Sequence, residues 1–235
     1  MRAWIFARKS QIGTALVAVL LVAATATATI VLTGRAREVV ASVPDPTVRV
    51  SVIGDAYSAG LGNQAVWPAL VAVGSQLSIS DVAFPGAGYV SGSGRTGPFT
   101  AQIDKALASK PALIVIFGGM TEAATAEGLI AQAATDLFGE LTRRAPTTKV
   151  MVLGPIAHTD PVPEPFVKLD SAVAGAAGAT HTTYVSLINE KWLVGDGFIQ
   201  DDGVTPTDLG QSVLAHHLSP ILLDHVRKLD KAAAS

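Results

Sequence analysis

Residues 48–60 read VRVSVIGDAYSAG. Val48, Val50, Val52 and Ile53 make a short apolar β-like run that ends at Gly54. The next letters, Asp55-Ala56-Tyr57-Ser58-Ala59-Gly60, suit a sharp corner into a helix. Such a corner lifts the side chain of residue 56 to the rim of a sheet. Ala56 carries no nucleophilic atom.

The same rhythm continues outward. Further β-like runs fall at 77–84, 112–117, 149–153 and 182–187. Helix-like segments lie between and after them, at 63–73, 100–109, 123–144, 164–177 and 207–229. The last places Leu209, Val213, Leu214, Leu218, Ile221 and Leu222 at helical spacing. Strands alternating with helices predict an α/β fold with a parallel sheet covered on both faces. Gly54, Gly118 and Gly154 each follow a strand, so the strands end at one rim. Ligands of such sheets sit at that carboxyl rim.

The 235 residues suffice for one domain with a core and a short appendage. The absence of cysteine excludes disulfides, thiolate zinc sites and cysteine nucleophiles. Arg2, Arg8, Lys9, Arg35 and Arg37 are the only charged residues of the first 37. Removing those five from the 17 basic residues leaves 12 against 19 acidic ones over 38–235, a net of −7. An acidic body argues against nucleic acid as a partner.

Ile12–Leu32 has neither charge nor proline. As a helix it spans about 30 Å, the hydrocarbon thickness of a bilayer. Residues 1–33 therefore read as a membrane anchor or signal segment, and 34–47, with Pro44 and Pro46, as a linker. Ala24-Thr25-Ala26 and Ala26-Thr27-Ala28 offer signal-peptidase-like sites. Apolar residues continuing through Ile30-Val31-Leu32 favour a retained transmembrane helix. The expectation is a single-pass membrane protein with its main domain, 48–230, extracytoplasmic, or secreted if the segment is cleaved.

Four segments fall at the predicted rim: GDAYSAG (54–60), FPGAGY (84–89), FGGMTEA (117–123) and DDGVTPTD (201–208). Their types and order resemble the blocks of the SGNH/GDSL hydrolase superfamily over roughly 48–225. The resemblance implies a three-layer α/β/α, flavodoxin-like fold with a sheet of about five parallel strands. It implies ester hydrolysis without a cofactor: a serine nucleophile, oxyanion donors from a glycine N–H and an asparagine amide, and a histidine base oriented by an aspartate. Ala56 stands where that serine belongs, Thr121 where the asparagine belongs and Thr205 where the histidine belongs. Asp55, the glycine Gly88 and the aspartate Asp202 match, and Glu122 replaces an aspartate. Three coordinated losses point to a pseudoenzyme whose rim, with Asp55, Ala56, Gly88, Thr121, Glu122, Asp202 and Thr205, binds a ligand. A cell-envelope glycan, an acyl group or a membrane protein partner fits that reading.

Two rivals remain open. Catalysis by displaced residues would use Ser58 and His158, although two steps along a helix turn Ser58 by roughly 200° from residue 56. A structural subunit of a membrane complex would make the pocket irrelevant. His181, His216, His217 and His225 read as structural. Asp55, Glu122 and Asp202 read as polar support for rim loops rather than as a metal site, since no histidine accompanies them. The GSGRTG stretch (92–97) reads as a loop over the pocket mouth, with Arg95 a contact for an acidic ligand.

Overall fold

The computed structural model describes residues 48–92 and 97–233. The expected anchor, the linker and Arg95 lie outside the described residues. Among the described residues no helix is long and apolar enough to cross a membrane.

Five strands form one sheet: β1 Val48–Gly54, β2 Leu77–Asp81, β3 Leu113–Phe117, β4 Lys149–Leu153 and β5 Thr183–Val185. Their order is β2-β1-β3-β4-β5 and every pairing is parallel. Among the described residues six α-helices accompany them: α1 Ala56–Ala59, α2 Trp67–Val73, α3 Ile103–Ala108, α4 Glu127–Arg144, α5 Glu164–Ala179 and α6 Asp208–Ala233. The α/β/α layering expected from the rhythm is present.

β3 sits at the centre, and all five of its residues are buried. A strand covered on both faces needs no polar alternation, which is why LIVIF reads as one apolar run. Its side chains divide between two cores. Leu113, Val115 and Phe117 join Tyr57, Trp67, Leu214, Leu218 and Leu222 on the face covered by α2 and α6. Ile114 and Ile116 join Ile103, Ile130, Leu137, Phe138 and Val173 on the face covered by α3, α4 and α5.

Several boundaries differ from the sequence expectations. β2 ends at Asp81 rather than Phe84, because Val82 and Phe84 leave the ladder as a loop that still bonds β1: their N–H groups donate to Val52 and Gly54 carbonyls. α2 starts at Trp67 rather than Asn63, with Pro68 fixing its first turn. A 3₁₀ turn at Met120–Ala124 precedes α4, which delays that helix to Glu127.

The order reverses beside β1, since β2 lies on one side of it and β3 on the other. The crevice above the ends of β1 and β3 is the ligand position such sheets favour. Gly54 and Phe117, the last residues of these strands, are register partners. Ile116 is fully buried in the core at that point. We expect Ile116→Ala to cost about 2–5 kcal/mol of unfolding free energy, read from urea denaturation; a loss below about 1 kcal/mol would contradict this packing.

Candidate functional site

The rim is organised by Asp55, which is buried. It caps α1: its Oδ1 accepts the N–H of Tyr57 at 2.9 Å. Its Oδ2 accepts the N–H groups of Gly119 at 2.8 Å and Met120 at 3.0 Å. One carboxylate thus ties the corner after β1 to the turn after β3. Gly118, at φ +149, has no room for a side chain because a Cβ there would lie 2.6 Å from the Asp55 carboxyl carbon. Burial pushes the Asp55 carboxyl up to about 6, against the N–H donors of Tyr57, Met120 and Gly119, which pull it down.

Ala56 is buried at the start of α1. Ser58 faces inward and is fully buried: its Oγ accepts from Trp67 Nε1 at 3.2 Å and lies 3.5 Å from the Phe117 carbonyl oxygen. It packs the corner and offers no hydroxyl to solvent. The two-residue step along the helix does turn it away from the rim.

The second and third blocks clasp each other. The Glu122 carboxylate is buried, and its Oε1 accepts the N–H groups of Val90 at 2.9 Å and Ser91 at 2.8 Å. Glu122 Oε2 is buried with no hydrogen-bond partner among the described residues. Thr121 is exposed, and its hydroxyl donates to the Ala87 carbonyl at 3.2 Å. A side chain at Gly88 would run into Glu122 Oε1 and come within 3.0 Å of Thr121 Oγ1, so glycine is required there by close approach. The Gly88 N–H donates to the Ser91 carbonyl at 2.9 Å. That bond engages the N–H which the resemblance assigns to an oxyanion hole.

At the last block Asp202 is exposed and Thr205 buried. Asp202 Oδ1 accepts the N–H groups of Val204 at 2.9 Å and Thr205 at 2.8 Å. The Thr205 hydroxyl donates to Asp202 Oδ2 at 2.6 Å. Partial desolvation works the other way, but the Thr205 hydroxyl and these backbone donors hold the Asp202 carboxyl below its ordinary range.

His158, a candidate from the sequence, pairs with Tyr57, which the sequence did not single out. Tyr57 Oη is 3.3 Å from His158 Nδ1. Burial, then the charges of Asp55 and Asp202, raise the phenol well above its ordinary value. Burial lowers the His158 imidazole below its ordinary value. Two buried glutamines were also missed. Gln102 donates to the Gly54 carbonyl at 2.8 Å and accepts its N–H at 2.9 Å. Gln211 accepts the Trp67 N–H at 2.8 Å and donates to the Tyr57 carbonyl at 3.1 Å. An amide in step with apolar neighbours (Gln211 with Leu214 and Leu218) was the available signal.

Among the described residues no group of three or more His, Cys, Asp or Glu could hold a metal ion. At the rim Asp202 is exposed, and Ala56 contributes only a methyl at the start of α1. The rim shows no hydroxyl–imidazole pair of the serine–histidine kind among the residues just described.

The layout can be set against known proteins. The structure of the esterase EstA from Pseudoalteromonas sp. superposes with a TM-score of 0.62 at 14% identity, covering 76% of this chain and 98% of that one. A protein of the G-D-S-L family from Desulfitobacterium hafniense superposes with a TM-score of 0.60 at 16% identity, covering 74% and 99%. The fold is that of the SGNH hydrolases. In sequence, the chain is 29% identical over 187 residues to a GDSL lipase of Mycobacterium tuberculosis, covering 74% of this chain and 80% of the lipase. That match, with the structural ones, supports the GDSL/SGNH hydrolase family. No family model matches the chain.

The SGNH scaffold here makes Asp55 a structural clamp with a titration to match. Its folded-state value, near 6, lies above its ordinary value of 3.8. A carboxyl raised by folding stabilises the native state fully below its unfolded value, and that contribution is lost as pH rises through the folded value. We expect the ¹³C resonance of the Asp55 carboxyl to titrate near pH 6. Its share of stability should decline between about pH 4 and 6. A midpoint below pH 4 would show that the three N–H donors outweigh burial.

Proposed function

We propose that this protein is a non-hydrolytic member of the SGNH structural class, tethered to a membrane by Ile12–Leu32, that binds a ligand or partner at the carboxyl rim of its sheet. The observation that carries this reading is the Thr205–Asp202 bond at 2.6 Å. The aspartate that would orient a catalytic imidazole instead holds a buried threonine. Ala56 removes the nucleophile, and the Gly88 N–H is engaged by Ser91. In a serine triad such as that of subtilisin, loss of the nucleophile or the base alone costs about 10⁶-fold in turnover. Both are replaced here. The ligand classes that suit the rim are a cell-envelope glycan or an acyl group, with a membrane protein as the macromolecular alternative.

The test is hydrolysis of short-chain esters, thioesters and acetylated glycans by the full chain in detergent. No turnover above buffer is expected. Turnover that disappears in Asp202→Asn contradicts the reading. Building Ala56→Ser and Thr205→His into one chain should return weak but measurable ester cleavage, well short of an intact enzyme because the Gly88 donor stays engaged.

A second reading keeps hydrolysis, and the Tyr57–His158 contact at 3.3 Å favours it. The sequence relative is named a lipase, which points the same way. In that case His158→Ala abolishes an activity that Ser58→Ala leaves in place, because Ser58 is fully buried.

A further inference from the structure

The edge of the sheet opposite the rim is cationic. Arg49 is the second residue of β1, Lys110 lies in the turn before β3, and Lys149 opens β4. These positions are neighbours. Arg49 Nε donates to the Lys110 carbonyl at 3.1 Å, Ala112 N–H to the Arg49 carbonyl at 2.9 Å, and Lys149 N–H to the Ala112 carbonyl at 3.0 Å. All three side chains are exposed.

Among the described residues none of these three has a carboxylate within ion-pair distance. Arg144 at the same edge is satisfied by Asp104 and Glu140, and Lys228 by Asp224. Cations gather at helix C-termini to complement the helix dipole, which accounts for Arg143 and Arg144 at the end of α4. It does not account for Arg49 and Lys149, which sit on strands.

Two grooves open beside this row. One, of about 390 Å³, is lined by Lys110, Arg144 and Thr148 among others. The other, of about 470 Å³, is lined by Lys149, His181, Thr182 and His225 among others. No aspartate or glutamate lines either. His225 Nε2 is buried without a hydrogen-bond partner among the described residues. Exposed acidic side chains lie at the other end of the domain: Glu127 opens α4, Asp201 and Asp202 precede α6, and Glu164 opens α5, where it pairs with Lys168 at 2.8 Å.

The polypeptide joins the domain at Val48, on this cationic edge. The 14 residues 34–47 before it bridge the domain to the apolar run Ile12–Leu32. Fully extended, they reach at most about 50 Å. We propose that the Arg49–Lys110–Lys149 edge docks on the phosphate headgroups of an anionic lipid surface, which would leave the acidic rim pointing away from it. Polybasic segments next to membrane anchors are drawn to anionic headgroups, whereas an acidic domain as a whole is repelled. The asymmetry therefore sets an orientation as well as an affinity. This inference rests on the reading of Ile12–Leu32 as an anchor.

The chain has no cysteine, so a single one can be introduced for labelling. The full chain is reconstituted in nanodiscs of phosphatidylcholine, with or without about 30% phosphatidylglycerol, and with a nitroxide-headgroup lipid as quencher. A fluorophore goes at exposed Thr147, at the cationic edge, or at Leu129, 60% exposed on the first turn of α4. Quenching is expected at Thr147→Cys and not at Leu129→Cys, and only with anionic lipid. Each cation at the surface is worth roughly a fivefold change in partitioning. Lys110→Glu with Lys149→Glu should therefore abolish the quenching, and the Gln pair should reduce it, with unchanged melting temperature. Inorganic phosphate at matched ionic strength should leave it intact.

Equal quenching in neutral and anionic discs overturns the proposal, as does indifference to charge reversal. Displacement by inorganic phosphate would assign the edge to a small free anion instead. A chain that does not insert at all ends the anchor reading and this inference with it.

Discussion

The Asp55 carboxylate is the constraint on which the rim depends. It receives three backbone N–H groups from two separate corners, those of Tyr57, Gly119 and Met120. Each is a buried donor, and a buried donor left without a partner costs about 1–3 kcal/mol. An ionised carboxylate at this depth is unfavourable without them. The two demands are met together, so the ends of β1 and β3 are held at one spacing. Everything built above them inherits that spacing: the Ala56 position, the Thr121–Glu122 turn and, through Glu122, the Val90–Ser91 loop.

The residues of the corner serve the fold whatever the chemistry of the rim. The residues that shape the corner (Gly54, Asp55, Gly118 and Gly119) engage backbone groups or fill places where a side chain would collide. They are needed whether or not the rim reacts with anything. Ala56, Thr121 and Thr205 have no such structural obligation to a serine, an asparagine or a histidine. The threonines have each found a partner of their own, in the Ala87 carbonyl and the Asp202 carboxylate. The hydroxyls of both threonines and the Gly88 N–H are thus engaged within the domain.

Much of this was legible in the sequence because it is carried by period and spacing. The alternation of LIVIF-type strands with apolar-striped helices gives a covered parallel sheet, and the four rim segments fall in order at its carboxyl ends. Boundaries set by competing local geometry were not legible. The 3₁₀ turn before Glu127 and the departure of β2 at Asp81 depend on hydrogen bonds to β1 and to Glu122 that no local pattern announces. The Tyr57–His158 contact joins residues 101 apart in sequence, and Gln102 and Gln211 act on backbone groups far along the chain. The resemblance marked Gly88 only as an N–H donor; that a side chain there would meet Glu122 and Thr121 is a matter of three-dimensional packing. That its N–H turns to Ser91 is a matter of loop closure, visible only in three dimensions.

On the proposed function the SGNH scaffold is intact while its hydroxyl nucleophile is gone. The most direct measurement is the intact mass of the full chain after exposure to an excess of a fluorophosphonate probe, which reacts with activated hydroxyl nucleophiles. An unchanged mass is predicted for the protein, and a single adduct once Ala56→Ser and Thr205→His are introduced together. A stoichiometric adduct on the unaltered chain, at Ser58 or any other residue, would contradict the claim.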